Sequence, residues 1–171
     1  MRSNWSGRKA TQDCPCGYFG ERNHPCRCTP QQIRQYQGKI SGPLLDRIDI
    51  HVEVPSVRYR DLTGRETGEP SATIKDRIEG AHEIQKRRFA NDETLFNARL
   101  SDRQIRAHCP LDEDSRHLIE MAVDRLGLSA RAHTRILKVA RTIADLEGIP
   151  EIRPSHVAEA IQYRSLDCRL I

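Results

Sequence analysis

The sequence predicts an α+β chain in which one short strand precedes a mainly α-helical bundle. Three observations predict it. Ile48, Ile50, Val52 and Val54 alternate with Asp49, His51 and Glu53, which is the two-residue period of a half-buried strand. From Ile74 onward the apolar residues recur three and four positions apart, the period of helices that share a core. Between the two regimes, residues 56–70 hold Gly64, Gly68 and Pro70 among many charges and read as a linker. The expected organisation is therefore an unmatched segment at 1–13, a first piece at 14–55, the linker at 56–70 and a helical domain at 71–171.

Residues 1–13 are polar and carry no period. They are followed by Cys14-Pro-Cys16 and, after nine intervening residues, Cys26-Arg-Cys28. Four thiols in two close pairs suit a closed tetrahedral zinc site, because a borderline-soft cation offsets the repulsion of gathered thiolates. The single-residue spacer is tighter than the usual two, and His24 could replace one sulfur. The alternative is four reduced, non-liganding cysteines in a loop. Cys109 and Cys168 stand apart and read as small buried residues.

Thr29-Pro30-Gln31-Gln32 has the form of a cap followed by proline at the first helical position, opening a short helix that Gly38 ends. Residues 40–47 form a compact turn carrying the pair Leu44 and Leu45, and the strand 48–54 follows, closed by Pro55. Beyond the linker, Ile74, Ile78, Ala81 and Ile84 share one face of a helix, and a short helical turn covers Asp102 to His108. Leu118, Met121, Ala122 and Leu126 mark the next helix, which Gly127 terminates. Ser129 caps a helix carrying Ala132, Ile136, Val139, Ala140, Ile143 and Leu146, with Gly148 just past its end. Pro154 opens a last helix with Val157 and Ile161 inward. The result is a bundle of about five helices.

Composition narrows the function classes. The 171 residues are 37% hydrophobic and 30% charged, and no window approaches the roughly 20 apolar residues a spanning helix needs. The N-terminus has no apolar signal core. The expectation is a cytoplasmic protein without membrane contact. Twenty-eight basic against 24 acidic residues give a net charge of only +4, too mild to argue nucleic-acid binding alone. No Gly-x-x-x-x-Gly-Lys-[Ser/Thr] loop and no Gly-x-Gly-x-x-Gly occurs, so the sequence holds no recognisable nucleotide cradle.

Two arginines stand out by context. Arg47 ends the apolar turn at the mouth of the strand. Arg131 lies in the first turn of the Ser129-capped helix, where backbone amides already favour an anion. A fixed planar guanidinium is what a phosphoryl-transfer site uses to absorb developing charge. The competing reading is that both lie on solvated faces or in exposed ion pairs. Arg135 and Arg141, near the same face, read as ion-pairing residues.

Several blocks carry a resemblance. Cys14-Pro-Cys-Gly-Tyr-Phe-Gly, Pro25-Cys-Arg-Cys-Thr-Pro-Gln-Gln-Ile, Ile40-Ser-Gly-Pro-Leu-Leu-Asp-Arg-Ile-Asp-Ile-His-Val-Glu-Val-Pro and Leu128-Ser-Ala-Arg-Ala-His-Thr-Arg-Ile-Leu-Lys-Val-Ala-Arg-Thr-Ile-Ala-Asp-Leu resemble the magnesium-chelatase-like AAA+ ATPases of the YifB/ComM type, from about residue 14 to the C-terminus. The resemblance implies a bacterial hexameric ATPase that uses ATP and Mg2+ and is linked to DNA uptake and recombination. It implies that 14–55 is the C-terminal edge of an AAA+ α/β core and that 71–171 is the helical lid. Arg47 then matches the arginine finger that reaches into a neighbouring subunit's ATP site. Arg131 matches the sensor 2 arginine that touches the γ-phosphate in its own subunit. The cysteine block matches an insertion ahead of the finger segment, which suits a structural zinc held by Cys14, Cys16, Cys26 and Cys28.

The departures are equally specific. Family members carry Walker A, Walker B and a sensor 1 Asn upstream of the cysteines, the Asn in an Asn-Pro-Cys-Pro-Cys context, where this sequence has Gln12 and Asp13. The expectation is the C-terminal part of a longer ATPase, unable to hydrolyse ATP alone. The alternatives are a zinc-containing module that binds DNA or protein, and a non-functional truncated remnant.

Overall fold

A computed structural model describes residues 14–20, 24–39, 46–52, 54, 68–90 and 96–164. The chain divides into two compact units, one within residues 1–42 and the other from residue 43 onward. The expected segments 1–13 and most of the linker, with Cys168, lie outside the described residues.

In the first unit, the loop of four cysteines leads into α1 (Pro30–Gln37). Its start is the one the sequence requires. Thr29 accepts from the Gln32 amide and the Gln32 side chain accepts from the Thr29 amide, a reciprocal capping box, with Pro30 supplying the first helical φ.

The second unit is helical. Its elements are α2 (Ser71–Arg88), a 3-10 turn (Asn97–Arg99), α3 (Asp102–His108), α4 (Glu113–Leu126), α5 (Ala130–Leu146) and α6 (Pro154–Gln162). Helix α5 is the axis of the bundle. Ala132, Ile136, Leu137, Ala140, Ile143 and Ala144 form its buried stripe, and α2, the 3-10 turn, α3 and α6 all pack on it. The core is completed by Phe89, Leu100, Ile105, Ile119, Leu128, Ile152 and Val157. Ser129 caps α5 by accepting from the Ala132 amide, and Gly127 closes α4 in the left-handed conformation at φ 60°.

A buried polar knot fixes the lower half of the bundle. Asp145 on α5 accepts from Arg88 at 2.7 and 2.5 Å, from the Asn97 amide group at 2.8 Å and from Arg141 at 3.1 Å. The Arg141 guanidinium also donates to the carbonyls of Ile149 and Pro150, so one side chain ends α5 and anchors the loop after it. His156 Nδ1 accepts from the Arg153 amide, which leaves Nε2 to donate to Glu147 across 3.1 Å.

Two expectations are corrected. The alternating segment 48–54 forms no strand among its described residues, and the only bridge they and the rest of the described chain offer is an isolated parallel one between Leu111 and Ile152. A strand is completed by a neighbour's backbone. Here the His51 amide instead donates to the Tyr163 carbonyl at 2.8 Å, past the end of α6. Ile50, Val52 and Val54 are consequently exposed. In α2, Ala81 is buried as the period requires, but Ile74 and Ile78 are exposed along with every residue from Ser71 to Gly80. Only the second half of that helix meets α5. No helix among the described residues is long and apolar enough to cross a membrane.

Candidate functional site

The first candidate is the sulfur cluster. The Cys14 carbonyl accepts from the Gly17 amide at 3.1 Å, and Gly17 and Gly20 adopt φ of 81° and 82°, left-handed values that let the chain reverse twice within seven residues. The reversal brings the sulfurs of Cys14, Cys16, Cys26 and Cys28 to within 4.8 Å of one another. Three of the separations are 3.4 Å (Cys14 to Cys16), 3.6 Å (Cys16 to Cys26) and 3.7 Å (Cys26 to Cys14). A tetrahedron of sulfurs around zinc at about 2.3 Å has edges of about 3.8 Å, so the donor set fits that ion in number, element and spacing. His24, the alternative ligand, is not in that group; its ring lies 5.1 Å from that of Tyr18.

Proton affinities in the cluster are split. Backbone amides of Tyr18 and Arg27 hydrogen-bond the Cys16 sulfur and lower its thiol to about 6. Burial and the Cys16 sulfur push Cys28 up to about 12. Sulfurs this close share negative charge poorly, and a divalent cation is the group that removes the conflict. Cys109, in contrast, is buried in the helical core, where burial raises its thiol to about 11, in keeping with a packing role.

The second candidate is a cluster of arginines and one carboxylate on the helical unit. Asp46 precedes Arg47 in a turn. One Asp46 oxygen accepts from the Ser129 hydroxyl at 2.7 Å, the other from Arg131 at 3.2 Å, and the Arg164 guanidinium lies 3.9 Å away. Burial acts to raise the Asp46 carboxyl, but the Ser129 hydroxyl and the Arg131 guanidinium outweigh it and hold the group below its ordinary value. Asp49 pairs with Arg135, and the Ile48 carbonyl accepts from Arg164. The segment 46–51 is thus strapped to the start of α5 and the end of α6.

Of the two singled-out arginines, Arg131 is in the first turn of α5 with a side chain 57% exposed. Arg47 is exposed, and no hydrogen bond or ion pair involves it among the described residues. The two are joined through Asp46. Arg135 and Arg141 are ion-paired, to Asp49 and Asp145. Sequence reasoning missed Asp46 and Arg164. Asp46 was visible inside Leu-Leu-Asp-Arg, but its partners Ser129 and Arg131 are 83 and 85 positions away. Arg164, with a side chain 1% exposed, lies two residues past α6, where no periodic signal shows that it turns inward.

Residues 68–164 match the family described as magnesium chelatase, subunit ChlI C-terminal, and residues 8–62 match magnesium chelatase, subunit ChlI. The chain belongs to the magnesium-chelatase-like YifB/ComM family. It is 43% identical over 163 residues to the uncharacterized protein YifB of Salmonella typhimurium, covering 95% of this chain and 31% of that protein. It is 41% identical over 160 residues to the competence protein ComM of Haemophilus influenzae, covering 92% and 30%. The Escherichia coli YifB is 40% identical over 163 residues. The chain therefore spans about a third of the length of the curated relatives it matches. Both the cysteine cluster and the Asp46–Arg131 contact fall within the matched ranges.

Proposed function

We propose that this chain supplies the finger and lid end of an ATP-driven motor of the magnesium-chelatase type, working on DNA in competence or recombination. In this reading Arg47 is the arginine finger, offered to the ATP site of a neighbouring subunit in a hexamer. Arg131 is the sensor arginine, which meets the γ-phosphate from the lid of its own subunit, with Mg2+ and the phosphate loop supplied by sequence outside these residues. Residues 14–55 belong with the α/β core, 56–70 link it to the lid, and 71–171 form that lid. Cys14, Cys16, Cys26 and Cys28 hold a structural zinc.

The observation that carries the reading is the placement of Arg131. It sits at a capped helix N-terminus, where amide dipoles add to its charge, with its side chain open to solvent. The exposed Arg47 suits a residue whose partner lies on another subunit. Both guanidiniums would act on phosphate oxygens as charge builds in the transition state, a contribution worth a factor of about 10³ to 10⁵ where a finger is concerned. The exposed apolar side chains of Ile50, Val52 and Val54 suit a surface that further core sequence covers.

The test is ATP hydrolysis by the 171-residue chain, alone and mixed with a polypeptide carrying the family's phosphate-loop portion. The chain alone should be inactive. The mixture should hydrolyse ATP, with Arg47→Ala abolishing turnover and Arg131→Ala weakening it. Hydrolysis by the isolated chain that is lost on Arg47→Ala would overturn the division of labour proposed here.

A further inference from the structure

The carboxylate of Asp46 sits where a ligand of Arg131 would sit. Its two oxygens are both used, one by the Ser129 hydroxyl at 2.7 Å and one by Arg131 at 3.2 Å, with Arg164 at 3.9 Å behind them. Ser129 is itself the cap of α5, accepting from the Ala132 amide at 3.1 Å while it donates to Asp46. One carboxylate therefore satisfies the same groups, a capping hydroxyl and a first-turn guanidinium, that would otherwise receive phosphate oxygens.

We propose that Asp46 is a latch on Arg131: it holds the guanidinium in the unliganded chain, and a phosphate group reaching Arg131 displaces it and frees the turn that carries Arg47. The proposal rests on the reading of Arg131 given above and adds a mechanism for linking the two arginines. Asp46 is adjacent to Arg47 in sequence, so its release changes the freedom of the finger. The strap it belongs to has other anchors. Arg135 holds Asp49, Arg164 holds the Ile48 carbonyl, and the Tyr163 carbonyl holds the His51 amide. Displacing Asp46 thus loosens residues 46 and 47 and leaves 48–51 in place. The state of phosphate in one subunit would in this way be passed, over a single residue, to the finger serving the next. Asp46 acts through Arg131 and Arg47 and is a positioning residue.

The exposure pattern suits displacement. The Arg131 side chain is 57% exposed and that of Asp46 22%, so an incoming anion reaches the guanidinium from solvent without opening the core. A phosphate can replace the carboxylate there because it too can give one oxygen to the Ser129 hydroxyl and another to the Arg131 guanidinium.

The experiment titrates inorganic tripolyphosphate into the full chain at fixed ionic strength, following the amide signals of Ser129, Arg131 and Ala132 and the side-chain Nε–H of Arg131 by NMR. Fast motion of the Arg47 amide is recorded by 15N relaxation. Asp46→Asn should bind tripolyphosphate at least ten-fold more tightly than the native chain, and Arg131→Ala should remove binding in both backgrounds. Glu120→Gln, which changes the net charge equally at an exposed site on α4, should leave affinity unaltered. Arg47 should become more mobile in Asp46→Asn, and in the native chain saturated with tripolyphosphate. Asp46→Glu, which keeps the charge, should bind like the native chain and serves if the amide variant folds poorly. If the native chain binds through Arg131 and Asp46→Asn binds no better, the latch is wrong and the phosphate reading of Arg131 stands. Absence of binding in every variant overturns both.

Discussion

Asp145→Ala should be the most damaging single substitution available in the helical unit outside its apolar core. The carboxylate is fully enclosed, its side chain 0% exposed, and it faces Arg88 at 14% and Arg141 at 2% exposure. Truncation leaves two guanidiniums, one of them entirely interior, with no neutralising charge. Arg141 keeps the carbonyls of Ile149 and Pro150, so it cannot swing out to water without ending the loop after α5. Removing one member of a buried pair in this way costs about 3 to 5 kcal/mol. The Asn97 side chain loses an acceptor as well, but it retains Thr142, so the upper end of that range is not exceeded.

Arg88→Ala should cost about 2 kcal/mol, since Asp145 keeps Arg141 and Asn97 as partners. In the double variant Arg88 is no longer present to be stranded, and the combined loss should fall short of the sum by about 1 to 2 kcal/mol. The assay is urea unfolding followed by helix ellipticity, with thermal melting alongside. A loss near 4 kcal/mol lowers Tm by roughly 15 °C in a domain of this size. Strict additivity of the two variants, or a cost below about 1 kcal/mol for Asp145→Ala, would refute the claim that the network is a mutually dependent buried charge cluster.

Three further outcomes are expected. The purified chain should take up one equivalent of zinc, measured by release to a chromogenic chelator, and Cys26→Ser should lower that affinity by more than ten-fold; stoichiometric zinc in the serine variant would count against Cys26 as a ligand. Gly127→Ala should destabilise by about 1 kcal/mol because the helix-ending φ is positive, whereas Gly80→Ala, inside α2 with nothing within 4 Å of an added Cβ, should stabilise by about 0.5 to 1 kcal/mol; equal effects in chemical denaturation would exclude this backbone account. Asp46 and Asp112 are both held below the ordinary aspartate value, Asp46 chiefly by Ser129 and Arg131 against its burial, Asp112 by its bonds to Ser115. A depressed folded value contributes stability that is complete above the unfolded value near 4 and is lost as pH falls through the folded one. Melting temperature should therefore hold from pH 7 to about 5 and decline below about 4, less steeply in Asp46→Asn.

The elements legible in the sequence are those whose signals are local. Thr29-Pro30-Gln31-Gln32 specifies both halves of a capping box within four residues, and the structure returns it. Ser129 and Gly127 mark a helix start and a helix end by the same kind of short-range chemistry, and the stripe on α5 is long enough that its period alone identifies the buried face. The cysteine cluster was legible because two pairs separated by nine residues need only a short local loop to meet. What escaped is non-local. Nothing near Asp145 announces that its partners come from α2 and from the 3-10 turn, and nothing near Ser71 reveals that the first half of α2 extends beyond the bundle.

The segment 48–54 shows why a correct local pattern can still give the wrong element. Alternation states which side chains would be covered if a sheet were present; it does not supply the neighbouring strand that makes one. Within the described residues the backbone bonds of 48 and 51 go instead to Arg164 and Tyr163, at the end of α6, and Asp46 and Asp49 go to α5. Each of these partners is polar and lies more than 80 positions along the chain, so hydrophobic period could not detect them. The same four contacts are the ones that place Arg47 beside the group binding Arg131. The segment is held to α5 and to the end of α6 by these polar contacts without a neighbouring strand among the described residues, and under the latch proposed above the position of Arg47 would depend on what Arg131 holds.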